Sequence, residues 1–490
     1  MKLILASLLA LCLLASCAQT RTPTPPDIGL DRLRPDLPIF REGLTDPSIL
    51  ADMDGASMYR IEYVIESDFV HIGGKEYVQY TNRENLPLDR VEFRLFPNIL
   101  GGKMTVSNLK VDGEATTPTY ELNNSLMIVP FAKPLAVGEE ISISMDFALE
   151  VPSEVELNYG VLAYHDDVLT LAHAYPMVTV YNEDGWNTEL PPQAGDVTFA
   201  DASFFLVTVT APEGVTIVAS GLESAPVISG RQIVQNVALG PARDFFLAVS
   251  EDFEVISETV GGVTVNSYAP KKWRDVSRSM LDTAVRAIET FSAAYAPYPY
   301  TEFDIVATPN LALGIEYPGA TAITYRLYTE ETYGGQTGIY RESTVAHEAG
   351  HQWFYNMVGN DQLDEPWLDE SLTQFITWEY YRINYGTAGA SGFESGLRGR
   401  WERVDNAPIP VGQPVAAYEG KEYGAIVYGR GAFFFDALRA EMGASAFDAF
   451  LKDYAATFSW KIATTAELKS LAEQHCSCNL TDLFTEWIYP

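Results

Sequence analysis

His347-Glu348-Ala349-Gly350-His351, followed by Glu370 in Trp367-Leu368-Asp369-Glu370, restricts how this chain can fold more than any other feature. Two histidines four apart on a helix lie on one face, one turn above the other. That spacing lets both imidazoles reach one metal ion. The Glu next to the first His is not a ligand in this pattern; it reaches a metal-bound water and takes its proton. A zinc ion that does hydrolysis needs a third protein ligand and keeps its fourth position open. Glu370 follows His351 after eighteen residues, on the next helical stretch. The chain must therefore pack two helices so that His347, His351 and Glu370 converge. The context allows it. The run 339–358 contains no Pro, Gly359-Asn360 is a stop signal, and Glu370 begins an apolar helical stretch that ends near Gly386.

Two His and one Glu around an open zinc is the ligand set of a thermolysin-type hydrolytic site. His-Glu-Ala-Gly-His-Gln-Trp-Phe at 347–354, with Trp367-Leu368-Asp369-Glu370 after it, resembles the aminopeptidase N family of gluzincin metallopeptidases, which includes the leukotriene hydrolase type. Two further motifs carry the resemblance. Leu313-Gly314-Ile315-Glu316-Tyr317-Pro318 is similar to the family's Gly-x-Met-Glu-Asn exopeptidase motif, and Val427-Tyr428-Gly429-Arg430-Gly431 to its Tyr-x-Lys-Gly segment. The resemblance is strong over 266–445 and weaker over 57–265. It implies one Zn2+ held by His347, His351 and Glu370, Glu348 as general base and acid, and Tyr428 as donor to the oxyanion. It also implies that Glu316, with Gly314 beside it, holds the charged amine of a peptide's first residue. The implied activity is removal of N-terminal residues from peptides with free N-termini. A broad or endo-acting peptidase, an epoxide hydrolase and a non-catalytic binding protein are the alternatives.

The chain departs from the family pattern in four places. Leu313 stands where Gly is usual and Tyr317 where Asn is frequent, both with consequences for the first side-chain pocket. Ser371 replaces the Gly that usually follows the third ligand. The family also offers a Gln or Glu to the substrate amine ahead of a segment comparable to Ala174-Tyr175-Pro176-Met177, and none precedes it here. Asp369, Thr373 and Gln374 are all placed to orient a zinc-bound His.

The 490 residues exceed one ordinary core. With 32 Lys+Arg against 66 Asp+Glu, the net charge of −34 excludes nucleic acid and anionic lipid surfaces as partners. Residues 1–17 read as a targeting segment: Lys2, the apolar run Leu3 to Leu14, and Leu14-Ala15-Ser16-Cys17, which resembles a bacterial lipobox with Cys17 lipidated. The expectation is an extracytoplasmic protein held to a bacterial membrane by a lipid anchor only. Residues 18–56, punctuated by Pro23, Pro25, Pro26, Pro35, Pro38 and Pro47, read as a tether. From 57 to 265 the apolar period is two, as in Tyr59/Ile61/Tyr63/Ile65 and Ile141/Ile143/Met145/Phe147, which predicts an antiparallel β domain of sandwich or saddle form. His165 and His173 within it are expected to be structural.

Residues 266–490 predict a thermolysin-like α/β domain with a helical C-terminal half. A helix is expected over 272–295, strands near 303–307 and 320–325, and an edge segment over 311–318. Tyr428 is placed in a Gly-rich turn before a helix over 432–442. The end of the chain leaves no room for the large helical domain that covers the cleft in many relatives, so a comparatively open site is expected. Cys476 and Cys478 are too close for a zinc ribbon and are either free or joined locally.

Overall fold

The computed structural model of the chain describes residues 34–192, 195–329 and 336–490. Cys17, the targeting segment and the tether up to residue 33 lie outside the described residues. Among the described residues no helix is long and apolar enough to cross a membrane.

The rest of the expected tether is part of the folded body. Pro38 and Pro47 begin the helical turns Pro38–Glu42 and Pro47–Asp52, where a fixed φ and a missing N–H cost nothing. These turns bury Phe40 and Leu50, and Leu44 is buried between them. The Phe40 ring lies 4.9 Å from that of Phe204, and the Thr45 N–H donates to the Pro299 carbonyl at 2.8 Å. A Pro-rich composition resembles a linker, but the apolar residues between these prolines have somewhere to go.

The N-terminal half is β structure. A nine-stranded sheet and two four-stranded sheets carry the period-two stretches. Most pairings are antiparallel, as expected, but the central strand Met58–Ile65 pairs parallel to Ser203–Pro212. Gly74 sits where a Cβ would lie 2.0 Å from the Phe147 ring, so the neighbouring strand closes over a gap that only glycine leaves.

The second half is built on a five-stranded sheet in the order Phe253–Val260, Val263–Pro270, Glu302–Thr308, Ala320–Thr324, Gly314–Tyr317. Its first two strands come before or across residue 265, so the expected boundary cuts through a sheet; the catalytic layer begins at 253. Alternation cannot show this, because a strand looks the same whichever sheet it joins. The two central pairings are parallel, and Gly314–Tyr317 is an antiparallel edge strand, as the sequence predicts.

Helix Arg274–Ala294 packs on this sheet beside Thr337–Gly350, which carries the first His of the motif. That second helix is shorter than expected, because the chain leaves helical geometry after His351. Glu370 opens the helical stretch Glu370–Trp401, which breaks at Gly386 (φ 64°). Five shorter α-helices and one π-helical turn follow from Glu422 to Trp487, and Cys476 and Cys478 are joined by a disulfide.

The halves meet through a shared apolar cluster. Val168, Val218 and Phe246 from the β domain pack with Val306, Tyr317 and Ala320 from the catalytic sheet. Tyr317 stacks on Phe246 with centroids 4.2 Å apart.

Candidate active site

The helix Thr337–Gly350 presents His347 and Glu348 in its last turn, and His351 caps it with helical φ and ψ (−63°, −13°). The i, i+4 relation of the two imidazoles therefore survives the early end of the helix. Glu370 is the first residue of its own helix, and the Asp369 side chain accepts the Glu370 N–H at 2.8 Å. A carboxylate at a helix start is favoured by the free N–H groups there.

His347, His351 and Glu370 are buried and converge. The distances are 3.1 Å from His347 Nε2 to His351 Nε2, 3.1 Å from His347 Nε2 to Glu370 Oε2 and 3.4 Å from His351 Nε2 to Glu370 Oε2. Ligand bonds of about 2.0–2.1 Å at tetrahedral angles put donor atoms about 3.3 Å apart, so the three atoms fit the edges of a zinc coordination shell. The second nitrogens are treated unequally. His351 Nδ1 faces the Phe354 carbonyl at 3.0 Å and the Thr373 hydroxyl at 3.3 Å, which leaves Nε2 free to coordinate. Of the three residues expected to orient a His, only Thr373 does so; Asp369 caps the helix instead. His347 Nδ1 is buried with no hydrogen-bond partner among the described residues.

Burial holds the His347 imidazole down at about 4. Burial would raise the Glu370 carboxyl, but hydrogen bonds from His347 and His351 outweigh it, and the group lies below the usual carboxylate range. His347 is thus presented as a neutral imidazole and Glu370 as an ionised carboxylate, their metal-binding states. Burial would lower the pKa of His351, but Glu316, Glu370 and Glu348 around it outweigh burial and raise it well above the ordinary value, so His351 is the donor that must shed a proton when a metal binds.

Glu348 and Glu316 lie together with His351, one donor atom from each within 4.8 Å of the others. Gly314, on the edge strand, approaches Glu348 so closely that a Cβ there would lie 2.4 Å from Glu348 Oε1. Gln352 fixes that strand against the end of the His347 helix. Its Nε2 donates to the Tyr317 carbonyl and its Oε1 accepts from the Gly319 N–H, each at 2.9 Å. Because side chains alternate along a strand, Glu316 faces the site while Tyr317 faces Phe246. The expected effect of Tyr317 on the first side-chain pocket is not seen; its ring fills the interface between the halves.

Tyr428 donates its hydroxyl to Glu370 Oε1. It stands on a π-helical turn, Ile426–Arg430, within a continuous helical run, not in the expected Gly-rich turn. The residues read as turn formers serve close packing. The Ser371 hydroxyl donates to the Val427 carbonyl at 2.7 Å, and a Cβ on Gly431 would lie 2.0 Å from Ser371 Oγ. Ser371 thereby ties the start of the Glu370 helix to the segment carrying Tyr428.

Two residues escaped the sequence reading. Asp196 enters from the β domain, with a carboxylate oxygen within 4.8 Å of those of Glu316 and Asp369. Gln362 bridges the other two, its Nε2 donating to Glu316 Oε1 at 3.2 Å and to Asp369 Oδ2 at 2.7 Å. Burial and then the neighbouring carboxylates raise the pKa of both Asp196 and Glu316. No motif surrounds Asp196, and Gln362 lies unmarked between two motifs, so neither carried a local signal. Neither His173 nor His165 belongs to a candidate metal-holding group among the described residues. His173 Nε2 bonds the Thr198 hydroxyl at 2.9 Å and so holds the loop two residues beyond Asp196; His165 bonds the Ser153 carbonyl.

Residues 279–487 match the peptidase family M1 domain. Aminopeptidase M1-B of Oryza sativa subsp. japonica is 29% identical over 240 residues, which are 47% of this chain and 27% of that protein. Endoplasmic reticulum aminopeptidase 1 of Homo sapiens is 29% identical over 231 residues, 45% of this chain and 24% of that protein. The match thus spans about a quarter of the length of these curated relatives. The M1 zinc metallopeptidase of Deinococcus radiodurans shares the fold, with a TM-score of 0.65 at 19% identity, covering 88% of this chain and 93% of that one.

Proposed function

We propose that this chain, whose residues 279–487 match the peptidase family M1 domain, is a member of that family and a zinc-dependent aminopeptidase. The observation that carries this reading is the placement of Glu316 beside Glu348, with Asp196 and Asp369 next to it. A carboxylate pocket beside the general base holds the ammonium of a free N-terminus and so fixes which bond is cut. Asp196 supplies the carboxylate that the segment before Tyr175 lacks.

His347, His351 and Glu370 would hold the zinc, which when bound polarises the scissile carbonyl and lowers the pKa of its water towards about 7. Glu348 takes the proton of the attacking water and delivers it to the leaving amide nitrogen as the C–N bond breaks. The Tyr428 hydroxyl, already aimed at Glu370, donates to the oxygen that gains charge. Gly314 keeps the edge strand close enough for an extended peptide to lie along it as an added strand.

A peptide set, half with free and half with acetylated N-termini, tests the reading by mass spectrometry with and without a zinc chelator. Loss of single residues from free ends only, abolished by the chelator and restored by Zn2+, is expected. Internal cleavage of acetylated peptides at an equal rate would overturn the exopeptidase assignment and leave the endo-acting alternative.

The reading extends to location: an enzyme outside the cytoplasm, anchored through lipidated Cys17. Lys2, the apolar run to Leu14 and the lipobox-like Leu14-Ala15-Ser16-Cys17 support it. Radiolabelled palmitate should enter the wild-type protein in cells and not the Cys17→Ser variant; equal labelling of both would refute the anchor.

A further inference from the structure

Away from the metal donors, a second group of carboxylates meets. Glu223 stands on the short strand Leu222–Glu223 at the rim of the nine-stranded sheet. Glu302 and Asp304 stand on the central strand Glu302–Thr308 of the catalytic sheet, two apart and therefore on one face. One oxygen of each lies within 4.8 Å of the others.

Asp304 is the most deeply placed, 1% exposed. Its Oδ1 accepts from Asn266 Nδ2 at 2.9 Å, and its Oδ2 has no hydrogen-bond partner among the described residues. Asn266 is itself committed, since its Oδ1 accepts the Ser257 hydroxyl at 2.6 Å. Glu223 Oε1 accepts the Ala219 N–H at 2.8 Å. Burial raises the pKa of all three carboxyls, and the other groups acting on them are one another, the Asn266 amide and the Ala219 N–H, all neutral or negative. Tyr268, on the adjoining strand, feels all three. A fully satisfied network would leave no buried carboxylate oxygen bare.

The geometry points to a binding site for a hard divalent cation of the Ca2+ class, held by Glu223, Glu302 and Asp304 and clasping the β domain to the catalytic sheet. The donors are all oxygen, with no imidazole or thiolate, which suits Ca2+ and not zinc or a softer metal. Glu223 and Glu302 are only half-buried, so an ion has a path in and water can complete its shell. The place also suits a clasp. Gly221 and Gly319 approach each other where the two layers touch, a Cβ on Gly319 lying 3.5 Å from the Gly221 nitrogen.

The full-length, zinc-loaded protein is titrated with Tb3+, an oxygen-seeking substitute for Ca2+ whose emission a nearby tyrosine such as Tyr268 sensitises. Asp196→Asn disables the acidic cluster of the active site and isolates the new one. In that background, emission should saturate at one equivalent, fall on addition of Ca2+ but not Zn2+, and vanish with Glu223→Gln or Asp304→Asn. Saturating Ca2+ should raise the apparent Tm of the wild type by at least about 2 °C and leave Glu223→Gln and Asp304→Asn unmoved. Glu223 is half-buried, so its variant keeps the test decisive if Asp304→Asn does not fold. Emission that survives Glu223→Gln, or a wild-type Tm indifferent to Ca2+, would overturn the site and leave shared protons as the way the cluster is neutralised.

Discussion

Glu76 points inward from the strand His71–Thr81, 3% exposed, and neither of its carboxylate oxygens has a hydrogen-bond partner among the described residues. Burial pushes its pKa well above the ordinary value. Between the ordinary value, about 4.3 for a free Glu, and the raised one, the folded state holds a proton that the unfolded state has lost. Stability therefore falls as pH rises through that window. Glu76→Gln keeps the shape and removes the titration. It should stabilise the protein at pH 8 by about 1–3 kcal/mol, with the gain shrinking towards pH 4.5. Denaturant midpoints of the two proteins across that range check it; a gain independent of pH would refute the argument. Glu348 belongs to the same scale. Glu348→Gln should keep its zinc, measured by metal analysis, while kcat falls about 10²–10⁴-fold.

At the scale of elements, the active site depends on how closely the edge strand Gly314–Tyr317 lies against the last turn of the His347 helix. Gln352 supplies the two hydrogen bonds that set this spacing, and Gly314 supplies the missing side chain. Gly314→Ala would push Glu348 aside by roughly the width of the added methyl. A displacement of about 1 Å at a reacting group can cost about 10²-fold. The expected result is a kcat loss of that order with zinc content unchanged; a variant with unchanged kcat would show that the strand yields instead. The π-helical turn at Ile426–Arg430 has a comparable effect, since the extra residue per turn sets the direction of Tyr428.

For the whole molecule, Arg243 is the tie between the halves. It is buried, and its guanidinium donates to the carbonyls of Ala200, Tyr355, Met357 and Lys461 at 2.6 to 3.2 Å. Burial lowers its pKa only to about 10, so it stays charged at neutral pH. Gly359 is glycine because a Cβ there would lie 2.1 Å from Arg243 Cζ. A lysine cannot reach four carbonyls in different directions. Arg243→Lys should lower stability by at least about 3 kcal/mol, measured by denaturant unfolding. It should also raise KM, because the loop carrying Asp196 hangs from Ala200 and His173.

The i, i+4 pair and the alternating stretches are short-range features, and the sequence by itself determined them. A helix places His347 and His351 on one face whatever surrounds it, and a strand sends Glu316 and Tyr317 to opposite sides. The start of the catalytic sheet at 253, the folding of residues 34–56 and the π-helical turn at Tyr428 are not legible in the sequence, because each depends on what the segment packs against. Asp196, Gln362, the Arg243 tie and the Glu223–Glu302–Asp304 group bring together residues separated by many turns of chain, with no periodicity to announce them. Only the tertiary structure decided which side of a strand meets a helix or a second sheet. The reason is physical: hydrogen bonding along the backbone is local, whereas burial, charge repulsion and close packing act between surfaces that the chain brings together only when it folds.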